Sequence, residues 1–539
     1  MEKYLLNGNN WKLYYYDSSS GERYSQAELE NGAAECISAA VPGNVELDLG
    51  RAGLLPEDIY KGMSTRLAEK YETYEFVYMT NFPTPDFKKG ERVMLHFEGV
   101  DCLAEYTLNS KPIGSSENAL IPFEADVTEI LKPEGENTLL VRISSALLYS
   151  LSRSYTAFQF SEPDRMDRCY LRKPAHSFGW DIFPRLPSAG IWKDVSLNII
   201  PEIRINDIYC RQMGNGGVDI MVSVMAPPEY FMDRKRLSVQ IHGCCGDSEF
   251  FAEEYYWRRN AKRFGVRPEN PKLWMPYGYG EPNLYETEFT LLYDGRVLDR
   301  RSMNIGLRSA KLIRGKSLRD ENPYFGFEIN GVRVMAKGSN WVPLDALHSR
   351  DSERYPAAMA LAKDVGCNIL RVWGGGVYEQ EYFYDFCDKN GIMVWQDFMM
   401  ACFVPPTDGN MKANLEAEFT YAIKALRNHP SLVLWSGDNE NDNVMDNAGM
   451  NPDRNMITRS MLPEILLRHD PYRDYLQSSP YKDEENFIRL NNGENTLLED
   501  HLWGPRDYFK SSFYRDSKAK FVSETGYHGC PAVSSLKKC

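Results

Sequence analysis

The sequence predicts a multidomain chain in which β-sandwiches precede an α/β unit of parallel strands. Three observations predict it. A chain of 539 residues exceeds one hydrophobic core, since domains run to about 100–200 residues. The first three hundred residues alternate apolar and polar positions with a period of two. From about residue 325 short apolar runs alternate with helical patterns, the signature of parallel strands joined by covering helices.

In the first part, Tyr74, Phe76 and Tyr78 alternate, as do Val93, Leu95 and Phe97, then Ala104, Tyr106 and Leu108, then Leu139, Val141 and Ile143. Turn residues lie between them (Asn109-Ser110, Pro133-Glu134-Gly135), as in a sandwich of antiparallel strands. The run 151–193, rich in Arg, Trp, Phe and Pro, has no period and reads as a long functional loop leading into a last strand. Residues 202–310 alternate again (Ile220, Val222, Val224; Leu237, Val239, Ile241; Tyr285 to Leu291, then Asp294-Gly295), and their length suits a seven-strand immunoglobulin-like sandwich.

In the third part, Val332 to Ala336 reads as a strand. Ser352 to Val365 reads as a helix capped by Ser352, with Tyr355, Ala358, Leu361 and Val365 inward. A strand at 369–373 is followed by a helix over 379–390 with Tyr382, Phe383, Phe386 and Cys387 inward, stopped by Gly391. A strand at 392–395, a helix over 414–428 and a strand at 432–435 complete the pattern, which fits a barrel or a doubly wound sheet.

Composition narrows the function. Acidic residues (76) outnumber basic ones (62), against duplex nucleic-acid binding. No stretch of about 18 uncharged apolar residues occurs, so no membrane span is expected. The N-terminus lacks a signal-peptide pattern, the eleven cysteines form no C-x-x-C pair, and no Asn-x-Ser/Thr sequon occurs; together these point to a cytoplasmic setting. No zinc, Walker or dinucleotide motif is present, so neither metal nor cofactor is expected. Aromatics at 13% exceed what a core needs and suit a sugar-binding surface.

Polar groups gather after the parallel strands: Gly374-Gly375-Gly376, Gln396-Asp397, Ser436 to Glu440 and Ser523 to Gly526. In a barrel this edge is the catalytic face. Glu440 and Glu524 stand out, because glycoside hydrolysis needs one carboxyl group to protonate the departing oxygen and another to attack or activate water. The same residues would also suit a solvated acidic loop (Glu440 with Asp438, Asp442 and Asp446) and a helix cap (Glu524). The glycine triplet reads as a tight turn beside a ligand, and His501 as structural or functional.

The stretches 97–114, 178–195, 273–285, 305–312, KGSNWVPLD (337–345), RVWGGGVYE (371–379), WQDFMMAC (395–402), WSGDNE (435–440) and FVSETG (521–526) resemble, in order, those of glycoside hydrolase family two, in its β-mannosidase-like branch. The resemblance implies a jelly-roll sugar-binding domain at 1–200, an immunoglobulin-like sandwich at 201–310 and a TIM-type (β/α)8 barrel at 311–539. It implies Glu440 as acid/base and Glu524 as nucleophile of a retaining exo-β-glycosidase, about 5–5.5 Å apart. It implies Asn439 against the sugar hydroxyl next to the reacting carbon, Arg371 beside Glu524, His501 and Trp503 at the pocket, Trp395 as its floor, Trp373 in the glycine-rich strand end, and Asp181 reaching in from the first domain. The substrate would be a β-linked oligosaccharide, first a terminal β-mannoside, with no cofactor and with a homodimer allowed. β-Galactosidase, β-glucuronidase or exo-β-glucosaminidase activity, or a non-catalytic sugar-binding remnant, are the alternatives. Ile182-Phe183 depart from the aromatic-Gly usual after Trp180-Asp181 in β-mannosidases. Only 15 residues follow Glu524, so the barrel is expected to lack its last strand and helix.

Overall fold

The computed structural model describes residues 2–155, 160–161, 163–492, 496–505, 510–526, 529 and 531–537. The first two hundred residues form two antiparallel sheets. One orders Glu2–Leu5, Val195–Pro201, Glu91–Phe97 and Phe123–Asp126; the other orders Glu35–Val41, Gly8–Asp17, Tyr74–Pro83, Glu136–Ile143, Leu103–Leu108 and Lys111–Glu117. The alternating residues Val93, Leu95, Phe97, Tyr106, Leu139 and Val141 fill one core, sealed between the sheets by the burial of their apolar area. Asn109 and Ser110 both take positive φ (51° and 63°), the conformation a two-residue hairpin turn needs.

The next hundred residues form a three-stranded sheet (Arg204–Met213, Gly217–Met225, Ala261–Val266) and a four-stranded one (Ser248–Tyr255, Leu237–Cys245, Tyr285–Tyr293, Arg296–Ile305) around Ile220, Val222, Val239, Ile241, Phe289 and Leu291. Their base is fixed to the α/β part by buried polar contacts. Trp274 Nε1 donates to the Asp388 carbonyl at 2.8 Å, and Arg308 donates to the carbonyls of Pro430 and Leu432 at 2.8 and 2.6 Å.

In the α/β part, five parallel strands pair in sequence order: β1 (Gly338–Trp341), β2 (Ile369–Val372), β3 (Met393–Asp397), β4 (Leu432–Ser436) and β5 (Tyr475–Leu476). Strands β6 (Glu499–Leu502) and β7 (Phe521–Thr525) form a parallel pair. Asn340 Nδ2 of β1 donates to the Ser523 carbonyl of β7 at 3.2 Å, bringing the first and last of these strands together. Helices α1 (Asp351–Asp364), α2 (Glu381–Asn390) and α3 (Gly409–Leu426) lie between strands, and α4 (Asn441–Asn447) follows β4. Among the described residues, no helix is long and apolar enough to cross a membrane.

Several local expectations change. Val332–Val334 pairs antiparallel with Phe325–Ile329, and the first parallel strand is β1, inside the Lys337–Asp345 motif. Helix α1 starts at Asp351 after Arg350 and buries Tyr355, Met359 and Ala362, while Leu361 and Val365 are 63% and 67% exposed. At about 100° per residue the observed trio spans a narrow stripe, whereas Leu361 and Val365 swing about 120° and 80° off it. Helix α2 buries Phe383, Tyr384 and Cys387, with Tyr382 outward, and ends on left-handed Gly391 (φ 67°). Helix α3 is capped by Asp408 and starts five residues earlier than its apolar pattern.

The run 151–193 folds into short 3₁₀ turns, a hairpin (Phe178–Trp180, Phe183–Arg185) and the pairing strand Gly190–Ile191; residues 156–159 and 162 of that run lie outside the described residues. It lies against the carboxyl ends of the parallel strands. Arg168 Nη2 donates to the Cys402 carbonyl at 3.0 Å, His176 N–H to the Gly375 carbonyl at 3.0 Å, and Arg172 pairs with Glu418 of α3.

Candidate active site

The carboxyl ends of β2, β3, β4, β6 and β7 converge on one polar cluster. Register places Asn340, Arg371 and Trp395 side by side across β1, β2 and β3. The buried Arg371 guanidinium is the hub. Its Nη1 donates to Glu524 Oε2 and to Asn340 Oδ1, both at 2.9 Å; its Nη2 donates to Asp397 Oδ2 at 2.8 Å and Asn439 Oδ1 at 2.9 Å. Burial would lower its pKa, but Asp397 and Glu524 outweigh that and raise it. Burial pushes Asp397 up to about 6 even beside Arg371.

After β4 the chain turns sharply. A Cβ on Gly437 would stand 2.1 Å from the Gln477 carbonyl, so only glycine passes. Glu440 then takes left-handed backbone (φ 61°) ahead of α4, a costly conformation of the kind that clusters at functional sites. On the other side, β6 slips register between Asp500 and His501, and this irregularity pairs His501 with Glu524 of β7.

His501 joins the two glutamates. Its Nδ1 lies 2.8 Å from Glu440 Oε1 and 3.6 Å from Glu524 Oε2, and donor atoms of all three residues lie within 4.8 Å of one another. Burial would raise the Glu440 carboxyl, but His501, the Cys402 thiol and Arg371 hold it below the ordinary value. Burial would lower His501, but Glu524 and Glu440 hold it above. Trp503 Nε1 donates to Glu524 Oε1 at 2.9 Å. Trp395 is buried, donates to Asp397 Oδ1 at 3.0 Å and packs on Phe325, Phe327 and Phe521. A cavity of about 360 Å³ along β1 and β7 has Arg371, Trp395 and Glu524 in its wall.

Two further sequence-predicted residues lie at the junction with the first part. Trp373 is buried and meets Trp180 of the first part edge-on (centroids 4.9 Å apart). Asp181 is exposed, at the turn of the hairpin just beyond Trp180. The glycine triplet also changes meaning. A Cβ on Gly374 would meet the Met400 and Phe398 carbonyls at 2.6 and 2.9 Å, and one on Gly375 the Trp373 ring at 2.0 Å, so protein rather than ligand crowds this turn. Gly374 N–H donates to Asp397 Oδ2 at 3.0 Å. Glu524 lies within a strand and caps no helix.

Sequence reasoning passed over Cys402, Ser479 and Glu499. Cys402 Sγ is 3.4 Å from Glu440 Oε2. Ser479 Oγ donates to Glu499 Oε1 at 2.7 Å and lies 3.0 Å from His501 Nε2. No spacing ties Ser479 to the site; only the fold brings it there. Among the described residues, Glu381, Asp385 and His429 form a second group of three metal-capable donors, the first two on helix α2 and the third just before β4.

The family comparisons agree on one family. The model described as "Glycosyl hydrolase 2 galactose-binding domain-like" matches residues 22–193, and "Glycosyl hydrolases family 2" matches 252–308. Beta-mannosidase B of Thermothelomyces thermophilus is 31% identical over 92% of this chain and 59% of that protein. The crystal structure of beta-D-mannosidase from Dictyoglomus thermophilum superposes with a TM-score of 0.86 at 32% identity, over 100% of this chain and 64% of that one. Residues 22–193 and 252–308 thus carry a likeness to glycosyl hydrolase family 2. Beta-mannosidase of Capra hircus is 30% identical over 94% of this chain and 61% of its own length. The chain thus spans about three fifths of the curated relatives it matches.

Proposed function

We propose that this chain is a member of glycosyl hydrolase family 2 and carries the reaction centre of a retaining exo-β-mannosidase that removes terminal β-mannosides from oligosaccharides. The observation that carries this reading is the approach of Glu440 and Glu524, one carboxylate oxygen of each lying within 4.8 Å of the other. Retaining enzymes hold their carboxyl groups about 5–5.5 Å apart, inverting ones about 6.5–9.5 Å. Glu524, held by Arg371 and Trp503, attacks the anomeric carbon while Glu440 protonates the departing oxygen. The bond to that oxygen breaks and a glycosyl ester forms on Glu524. Glu440 then takes a proton from water, the water attacks the same carbon, and Glu524 leaves as carboxylate. Asn439 Oδ1 is engaged by Arg371, and its Nδ2, 3.9 Å from Cys402 Sγ, is read as the donor to the sugar hydroxyl next to the reacting carbon. No step needs a metal or cofactor.

The choice of mannoside rests on the relatives' being beta-mannosidases, and Asp181 is read as a glycone contact because Trp180 beside it packs on Trp373. In the same reading, 1–200 is a jelly roll, 201–310 an immunoglobulin-like sandwich and 311–539 a TIM-type barrel; the five parallel strands paired in sequence order, the parallel β6–β7 pair and the β1–β7 contact support the last. The nine described cysteines are unbridged, which suits a cytoplasmic protein.

The test is turnover of 4-nitrophenyl β-mannoside against the galactoside, glucuronide and glucosaminide. Hydrolysis of the mannoside, lost in Glu524→Ala and restored by azide as a glycosyl azide of inverted configuration, is the expected result. Turnover unchanged in Glu524→Ala would overturn the assignment; sugar binding with no turnover of any glycoside would select the non-catalytic alternative.

A further inference from the structure

We propose that Glu499, acting through Ser479, is a positioning residue that fixes the tautomer of His501 and thereby keeps the acid's proton in the contact between His501 and Glu440. The inference rests on the reading of Glu440 as acid/base.

One chain of hydrogen bonds links Glu499 to His501. Glu499 is 4% exposed, and its Oε1 accepts the Ser479 hydroxyl at 2.7 Å and the Ser523 hydroxyl. Its Oε2 is buried without a partner among the described atoms. Glu499 therefore offers Ser479 an acceptor, whether or not Oε2 carries a proton. Ser479 Oγ, its proton committed to Glu499, turns a lone pair to His501 Nε2 at 3.0 Å. The backbone holds Ser479 in place: its N–H donates to the Asp438 carbonyl at 3.1 Å, and its carbonyl accepts the Glu440 N–H at 2.9 Å.

A lone pair facing Nε2 demands a proton there. The other ring nitrogen, Nδ1, faces Glu440 Oε1 at 2.8 Å. With Nε2 protonated, one further proton fits between Nδ1 and Oε1, as imidazolium with carboxylate or as imidazole with carboxylic acid. Removing that proton leaves a bare Nδ1 lone pair against a carboxylate, which is repulsive. The alternative neutral tautomer, Nδ1–H donating to the carboxylate, would leave Nε2 and Oγ lone pairs opposed. The serine thus makes loss of the acid's proton costly. When the proton is used, the Oε1–H bond breaks, the leaving oxygen gains it, and the glycosidic bond's electrons go to that oxygen.

Among the described residues, the other groups around His501 are Glu524 (Oε2 at 3.6 Å from Nδ1), Arg371, bound to that same oxygen, and Asp500, whose Oδ1 accepts the His501 N–H at 2.9 Å. Cys402 touches Glu440 Oε2 rather than the ring. Glu524 and Arg371 act on the ring through charge, the Glu524 carboxylate favouring a proton on the nearer Nδ1, whereas among the described residues Ser479 is the group that contacts Nε2 within hydrogen-bond distance and with a fixed direction. The Glu499 carboxyl itself lies 3.9 Å from Nε2.

The experiment compares the wild-type chain with Ser479→Ala, Ser479→Thr and Glu499→Leu. The first measurement is the pH dependence of kcat/KM for methyl β-mannoside, a poor leaving group that needs the acid, and for 4-nitrophenyl β-mannoside, which needs it little. In Ser479→Ala and Glu499→Leu the alkaline limb for the methyl glycoside should fall by about one pH unit, that for the nitrophenyl glycoside should stay, and Ser479→Thr, which keeps the hydroxyl, should restore the wild-type limb. Equal losses at every pH with no movement of the limb would overturn the proposal. The second measurement is the ¹⁵N spectrum of His501, which needs no turnover. The neutral ring should be Nε2–H in wild type and Nδ1–H in Ser479→Ala; Nδ1–H in both would overturn it. If neither mannoside is cleaved, or Glu440→Ala leaves cleavage of the methyl glycoside unchanged, the functional reading fails, while the ¹⁵N spectra still decide the tautomer.

Discussion

Arg172, from the long loop of the first part, and Glu418, from helix α3, form a two-pronged ion pair with neither side chain exposed: Nη2 to Oε1 at 2.6 Å and Nε to Oε2 at 2.7 Å. Asn118 Nδ2 and the Tyr378 hydroxyl donate to the same carboxylate at 2.9 and 3.0 Å, and Arg172 Nη2 reaches the Met399 carbonyl at 2.8 Å. A charge buried this completely is tolerable only because the partner's fork matches it. The pair joins the first β part to helix α3 and, through Met399, to the segment after β3, beside the Glu440–Glu524 cluster.

Breaking that pair from one side should be severe. Arg172→Ala leaves the Glu418 carboxylate buried without its cation and should cost about 3–5 kcal/mol of stability, read as a lowered midpoint in urea. Exchanging both residues for methionines should cost much less. Equal losses in the single and double variants would contradict the desolvation argument.

The turn after β4 should tolerate no side chain. In Gly437→Ala the added methyl meets the Gln477 carbonyl and must push Asn439 and Glu440 aside. A displacement of about 1 Å at a reacting group costs about a hundredfold, so kcat/KM on the nitrophenyl mannoside should drop by that order. Near wild-type turnover would mean that the loop relaxes without moving Glu440.

Arg371 makes four charged or amide contacts that a lysine cannot reproduce. Arg371→Lys should reduce kcat by about a hundredfold or more while the chain stays folded, because both Glu524 and the Asn439 amide lose their orientation. A change confined to KM would place Arg371 in binding alone.

A buried histidine far from the site predicts pH-dependent stability. His429 stacks on Tyr384 and pairs with Asp388 at 2.7 Å; burial would lower its pKa, but Asp388 and Glu381 raise it to about 10. Its folded pKa exceeds the unfolded value near 6.5, so the folded state binds the extra proton. The stability this supplies is complete below about pH 6.5 and is lost as pH rises through about 10. The Tm gap between wild type and His429→Gln should therefore be widest near pH 6 and narrow steadily toward pH 10. A gap constant with pH would contradict the ion pair.

Much of this fold was legible because burial follows periodicity. Val93, Leu95 and Phe97 alternate in sequence and all lie in one core. The helix over 351–364 was legible as a helix but not by face, since Leu361 and Val365 are apolar yet look outward, and Met359 fills the stripe instead. At the site, Glu440, Glu524, Arg371 and His501 announced themselves by position after strands or by motif. The geometry around them did not. The irregular register that aims His501, the left-handed backbone at Glu440 and the Ser479–Glu499 link arise from contacts between segments 20 to 153 residues apart, which no local pattern encodes. The glycine triplet was legible as a tight turn, but what crowds it is the Trp373 ring and two carbonyls.

The most direct measurement of the central claim is to trap the intermediate. Incubating the chain with 2-deoxy-2-fluoro-β-mannosyl fluoride and mapping the digested peptides by mass spectrometry should place one fluorosugar on the peptide carrying Glu524, with the label absent from Glu524→Ala. A label on the Glu440 peptide instead, or release of α-mannose as the first product from a β-mannoside, would contradict it.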